Sequence, residues 1–226
     1  MIEEQRLTEN QHPKTENVSL KLARVLSAVF HPLLMPTILF SLLLYKAPGV
    51  LGVETYGPGF KWSLLVLICV CTFLVPAFLI YLLHRTGFVS SLNMNDLRDR
   101  RVPYFMTALL YTTTTLLFGY QFSNAVPEIG IVMGSITVSV TLVGLISLFW
   151  KISAHSVGVS GMVGALLGIA IKASEMSLLY PLLALIVLAG LLASARLYLN
   201  AHTPTQIAAG MGLGLLVSLA TVLFLI

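Results

Sequence analysis

Seven apolar segments, each close to the length of a membrane crossing, leave this chain few folds to choose from. They occupy residues 25–45, 62–83, 103–120, 131–150, 156–171, 178–195 and 205–226. Roughly 20 apolar residues cross the hydrocarbon core of a bilayer as a helix. Charge is confined to the edges of these segments. Only 10% of the 226 residues are charged while 57% are hydrophobic, and the mean hydropathy is +0.92, far from the balance of a water-soluble domain. Barrel strands would alternate polar and apolar residues, and these segments do not. The expected fold is all-α, a polytopic transmembrane helical bundle of six to seven spans. The third and fifth segments are short, so six spans plus one re-entrant element is the alternative. His31, Pro32 and Pro36 should kink or break the first span.

Residues 1–24 form a polar tail carrying both signs of charge, without the apolar core and small-residue cleavage site of a secretory signal. Residues 25–226 read as a single transmembrane domain. Cys69 and Cys71 lie two apart in the second span and face different ways on a helix, so they read as packing residues and not as a disulfide or metal site. Gly158, Gly161, Gly164 and Gly168 on the fifth span, and Gly210, Gly212 and Gly214 on the seventh, make small-residue faces suited to close helix contact. Tight packing of those two spans would bring His155 and His202 together. Thr112, Thr113, Thr114 and Thr115 read as backbone or interhelical hydrogen-bonding groups.

Ionisable residues gather at three connections: Arg98, Arg100 and Arg101; Lys151 and His155; Arg196 and His202. Two crossings separate the first connection from the second, and two more separate the second from the third, so all three fall on one face of the membrane. Spans three, five and seven begin there. Helix N-termini present unsatisfied N–H groups and favour anions. Pro103 suits a first helical turn, Ser153 and Ser156 suit caps, and Thr203-Pro204-Thr205-Gln206 reads as a cap, a first-turn proline and a capping-box glutamine. Arginine forks match phosphate oxygens, and a histidine serves as nucleophile or proton carrier. Each residue also has a plainer reading. The arginines are suited to anchor at lipid headgroups, Gln206 to cap a helix, and His31 to brace a helix kink.

The pattern Ser153-Ala154-His155, followed by Ala195-Arg196-x5-His202-x3-Gln206 and Ile207-Ala208-Ala209-Gly210, resembles the type 2 phosphatidic acid phosphatase superfamily, which includes vanadium haloperoxidases and glucose-6-phosphatase. That family carries Lys-x6-Arg-Pro, Pro-Ser-Gly-His and Ser-Arg-x5-His-x3-Asp motifs. The first survives here as Arg98-Asp99-Arg100-Arg101-Val102-Pro103, and the resemblance covers roughly residues 95–215. It implies a phosphatase with His202 as nucleophile and His155 as the acid and base. The first-motif arginines Arg98 and Arg101, together with Ser153, Arg196 and Lys151, would bind phosphate. It implies no metal or other cofactor. The chain departs from the pattern at Gln206, where the family has Asp, and at Met94, where it has Lys. Asp96 or Asp99 is the candidate substitute carboxylate, and Arg98 or Lys151 the substitute cation.

The resemblance therefore implies a membrane phosphatase acting on a lipid phosphate or polyprenyl pyrophosphate through a phosphohistidine intermediate. The expected partners are membrane lipids and that substrate, with no nucleic acid, in a bacterial cytoplasmic membrane. The alternative is a catalytically impaired relative that binds anionic lipid or assists a membrane partner. A transporter fits less well, because ionisable residues other than His31 are scarce in the middle of the spans. Lys46, Lys61 and Lys172 face one side and the remaining Lys and Arg the other. The positive-inside rule would put the larger group in the cytoplasm, but half of that group belongs to the candidate site, which leaves the side of the membrane open.

Overall fold

The computed structural model describes residues 18–91, 96–122 and 125–226. Most of the N-terminal tail, and the Met94 position, lie outside the described residues. Among the described residues the fold is helical without strands. In chain order the helices are α1 (Val18–Val29), α2 (Met35–Lys46), α3 (Pro58–Cys69), α4 (Val75–Arg85), α5 (Leu97–Leu116), α6 (Pro127–Ile146), α7 (Ala154–Lys172), α8 (Leu179–Tyr198) and α9 (Pro204–Leu225). Six stretches are long and apolar enough to cross a membrane: Val18–Lys46, Pro58–Arg85, Pro127–Ile146, Ala154–Lys172, Met176–Tyr198 and Pro204–Leu225. The protein is an integral membrane protein. Helix α5 is the seventh long helix; its first two turns are charged, and it packs along α6.

Prolines shape three of these helices. The first span breaks as expected. Helix α1 ends at Val29, a 3₁₀ turn covers Pro32–Leu34, and α2 begins at Met35. His31 caps the turn, its Nδ1 accepting the Leu33 N–H at 3.3 Å. In the second span a π-helical turn, Val70–Leu74, joins α3 to α4. Pro76 has no N–H to give the carbonyl four residues back, that of Thr72, and the Tyr111 hydroxyl donates to that carbonyl at 2.8 Å. A side chain of α5 thus fills the vacancy created by a proline, as a low-dielectric interior requires. The third helix corrects an expectation, because α5 starts at Leu97 and Pro103 lies inside it, buried, and not in its first turn. The arginines occupy helix and not a connecting loop.

Apolar burial does little to hold helices together in lipid, so close packing has to do it. Helices α7 and α9 meet along their glycines. A Cβ on Gly164 would come 2.5 Å from the Leu215 carbonyl oxygen, and one on Gly214 would overlap the Val157 carbonyl. The Ser160 hydroxyl donates to the Gly210 carbonyl at 3.4 Å across the same interface. Around this pair, Phe40, Leu43 and Leu44 of α2, Ile129 and Met133 of α6, and Leu166 and Ile169 of α7 form the main core. Because α7 and α9 touch backbone to backbone, the first turn of α7, which carries His155, and the turn leading into α9, which carries His202, are held at one end of the bundle.

Candidate functional site

A cavity of about 950 Å³ opens at that end. Arg100 from α5, His155 from α7, Arg196 from α8 and His202 from the turn before α9 all line it, together with His31 from the break after α1. This meets the parity expectation, since the starts of α5, α7 and α9 converge on one space. The cavity continues inward past Tyr104, Thr107 and Tyr111 to apolar side chains such as Leu39, Ile136 and Met162. No described lining residue is an acid.

His202 sits in the turn between α8 and α9 and is 8% exposed. Its Nδ1 lies 3.1 Å from Oε1 of Gln206. The same oxygen accepts the Thr203 backbone N–H at 3.2 Å, completing the capping box of α9. A backbone N–H only donates, so the Gln206 atom facing it is oxygen, and the His202 nitrogen facing that oxygen carries the proton. Nε2 of His202 is left with a free lone pair. Burial first, and the Arg196 guanidinium second, disfavour the charged ring and lower the His202 pKa to about 4, against a smaller opposing effect of the Gln206 bond. At neutral pH His202 is an uncharged base with its nucleophilic nitrogen bare.

His155 is fixed through its other nitrogen. Its Nε2 lies 3.0 Å from the carbonyl oxygen of Ser27 on α1. A carbonyl only accepts, so Nε2 carries the proton and Nδ1 is the basic position. His31 packs edge-on against His155, with ring centroids 6.1 Å apart. Among the described residues, no three His, Cys, Asp or Glu side chains are grouped to hold a metal ion.

The other candidate residues separate into those at the cavity and those outside it. Arg100 is 6% exposed and its Nη1 donates to the Ile152 carbonyl at 3.3 Å. Arg196 has a buried Nε with no protein acceptor, which leaves that donor for a ligand. Arg98 and Arg101 do not line the cavity. Arg101 reaches the Leu148 carbonyl at 3.4 Å on the exposed side. Six residues of extra helix before Pro103 turn Arg100 inward and its two neighbours outward, so the cavity arginine of this segment is Arg100. Ser153 is fully buried and caps α7, accepting the Ser156 N–H at 3.4 Å and the Ser156 hydroxyl at 2.9 Å; it too is outside the cavity. Lys151 lines a second, smaller cavity of about 400 Å³ with His202, Asn200 and Gln206. Burial, and then Arg100 and Arg196, lower the pKa of its ammonium. Asp99 accepts hydrogen bonds from the Ser90 N–H and hydroxyl, and neither it nor Asp96 reaches the cavity.

Sequence reasoning missed the contribution of α1. Leu20, Arg24, Ser27 and Ala28, with His31 beyond the helix end, line the cavity, while Val18, Leu22, Val25 and Val29 are exposed on other faces. The 3–4 spacing of Arg24, Ser27 and His31 was the available signal. It was obscured because the polar positions sit at the edge of an apolar segment and read as its boundary. Among protein-family models, curated proteins and solved structures, none matches this chain.

Proposed function

We propose that the protein is a membrane phosphatase that hydrolyses a lipid phosphate or polyprenyl pyrophosphate through a phosphohistidine at His202. The observation that carries this reading is the single cavity lined by Arg100, His155, Arg196 and His202, with the proton of His202 held on Nδ1 by Gln206. Its cationic end suits phosphoryl oxygens and its apolar depth suits the chain of an amphiphile.

In this reading Arg100 and Arg196 hold the phosphoryl oxygens and offset the charge that develops in the transition state. The Nε2 lone pair of His202 attacks phosphorus as the bond to the leaving oxygen breaks, and a proton taken up from solvent at Nδ1 of His155 passes to that oxygen. His155 then takes a proton from water. The resulting hydroxide attacks phosphorus, the N–P bond breaks and inorganic phosphate leaves. Lys151 and the smaller cavity on the other side of His202 offer a polar route for water and phosphate.

The test is phosphate release by the purified protein from a panel of lipid phosphates and pyrophosphates in EDTA. Release that survives chelation and is abolished in His202→Ala supports the phosphohistidine enzyme. One observation favours the second reading, a non-hydrolysing binder of anionic lipid: the partner of His202 is a neutral amide and not a carboxylate. That reading is selected if the parent releases nothing while Gln206→Asp does.

A further inference from the structure

Helix α5 gives the cavity one row of side chains. Arg100, Tyr104, Thr107 and Tyr111 follow one another by four, three and four residues and all line it, which is the spacing of a single helix face. The row changes character along its length. Arg100 stands at the cationic end, and Tyr104 lies one turn further in, within electrostatic reach of both Arg100 and Arg196. The two deeper hydroxyls are committed, Thr107 donating to the Pro103 carbonyl at 2.7 Å and Tyr111 to the Thr72 carbonyl at 2.8 Å. Among the described residues the Tyr104 hydroxyl has no hydrogen-bond partner, and it opens on the cavity instead of being sealed within the protein.

Packing does not account for that hydroxyl. The Tyr104 ring packs with Val143, Ile152 and Val157, and a Cβ on Gly144 would come 3.4 Å from the Tyr104 Cβ. A phenylalanine would fill this space equally well, and an enclosed tyrosine normally gives its O–H a partner. The two histidines, for their part, have no proton to offer a ligand. In the neutral rings the Nε2 proton of His155 goes to the Ser27 carbonyl and the Nδ1 proton of His202 to Gln206, so each has only a lone pair left. A phosphoryl oxygen approaching lone pairs is repelled unless a donor faces it.

We propose that Tyr104 is a further oxyanion-binding residue of this site, its hydroxyl donating a hydrogen bond to an oxygen of the phosphoryl group that Arg196 holds. A phenol keeps its proton at neutral pH, so it donates without adding charge to a space that already contains guanidinium groups. A hydrogen bond to an ionised oxygen is also stronger than one between neutral groups, and it tightens as charge builds on the phosphoryl oxygens in the transition state. The inference rests on the phosphatase reading for the identity of the anion; the hydrogen bond is a binding property and is measurable without turnover.

The test is calorimetric titration of the full-length protein in detergent with methylphosphonate, whose P–C bond the proposed chemistry does not hydrolyse. Tyr104→Phe keeps the ring and its packing, and should weaken binding by about 10- to 100-fold, the range for a hydrogen bond to a charged group, with the thermal midpoint unchanged. Placing 3-fluorotyrosine at position 104 makes the hydroxyl a stronger donor and should tighten binding, a response that a packing role would not give. Tyr180→Phe removes a hydroxyl from an exposed ring and should bind as the parent does. No binding by the parent, equal binding by Tyr104→Phe, or a loss in Tyr104→Phe with no response to the fluorinated ring overturns the proposal. A second arm uses decylphosphonate. Tighter binding than methylphosphonate, with the same loss in Tyr104→Phe, supports the hydrogen bond with a lipid headgroup; the same loss without any gain from the chain supports it with free phosphate. Absence of phosphate release with this binding pattern intact would remove the phosphatase reading and keep the donor, whereas release and phosphonate binding both unchanged in Tyr104→Phe would do the reverse.

Discussion

Oε1 of Gln206 accepts two hydrogen bonds at once, from Nδ1 of His202 at 3.1 Å and from the Thr203 backbone N–H at 3.2 Å. The start of α9 and the tautomer of the candidate nucleophile are therefore set by one atom. A carboxylate on this turn, which in aspartate is set one methylene closer to the backbone, would accept from the same donors and would also stabilise an imidazolium by charge. On the phosphatase reading, Gln206→Asp is expected to raise kcat for phosphate release. Neutralising the acid of a Ser-His-Asp triad lowers kcat by about 10⁴, which bounds the gain. Steady-state kinetics of the two proteins on one substrate check this, and a fall in kcat on restoring the acid would count against His202 as nucleophile.

The His202 ring should titrate near pH 4 in the free protein. Burial and Arg196 both penalise its protonated form, so the neutral ring persists as pH falls through the ordinary histidine value of 6.5. Arg196→Gln removes the second cause and should move the midpoint upward, while burial keeps it below 6.5. Ring ¹⁵N chemical shifts followed against pH measure both. A midpoint near 6.5 in the parent would mean that the ring is more hydrated than the cavity geometry implies.

Arg100 and Arg101 are neighbours in sequence and opposites in placement. On the phosphatase reading Arg100→Gln should raise KM by about 10- to 100-fold, in line with the loss of a charge-assisted hydrogen bond. Arg101→Gln should change it by less than about threefold, because an exposed juxtamembrane arginine contributes little. Kinetics of the two single variants under one detergent condition separate them.

Gly214 and Gly212 give an internal control for the α7–α9 contact. A side chain at Gly214 would collide with the Val157 carbonyl and the Ser160 hydroxyl, whereas at Gly212 nothing lies within 4 Å. Gly214→Ala is expected to lower stability in detergent by about 1–3 kcal/mol and, on the phosphatase reading, to reduce phosphate release by spreading His155 from His202. Gly212→Ala should leave both nearly unchanged. Thermal unfolding and phosphate release, measured together, read the two effects.

Tyr111→Phe tests the bond that crosses from α5 to the proline-broken second span. It leaves the Thr72 carbonyl, already deprived of a helical donor by Pro76, without its partner. The expected cost is about 1–3 kcal/mol. Pro76→Ala in the same background restores an N–H at that position and should recover part of the loss, as denaturant titration would show.

Most of the bundle was legible in the sequence because lipid imposes a single rule on long apolar segments, and charge marks where they end. The break at His31 and Pro32 and the capping box at Thr203 and Gln206 were legible for the same local reason, since proline geometry and cap chemistry act within a few residues. The start of α5 was not. Its first two turns are held by contacts such as Arg100 to the Ile152 carbonyl, 52 positions away, so the arginines read as a loop when they are helix. The rotation that sends Arg100 inward and Arg101 outward follows from that extra helix. The roles of Ser153 and of α1 were hidden in a similar way, because both depend on which long-range neighbour a hydroxyl or carbonyl meets.

The walls of the large cavity come from residues 20–39 and from residues 196–218, with the middle of the chain supplying the rest. During synthesis the wall bearing Arg24 and His31 emerges first, and His202 enters only after α8 has been made. The glycine seam that seats α9 against α7 cannot close before α9 is inserted. Until then the nascent protein holds cations and histidines with no enclosed space between them. Biogenesis therefore encloses the cavity last, as a consequence of where the His202 turn falls in the translation order.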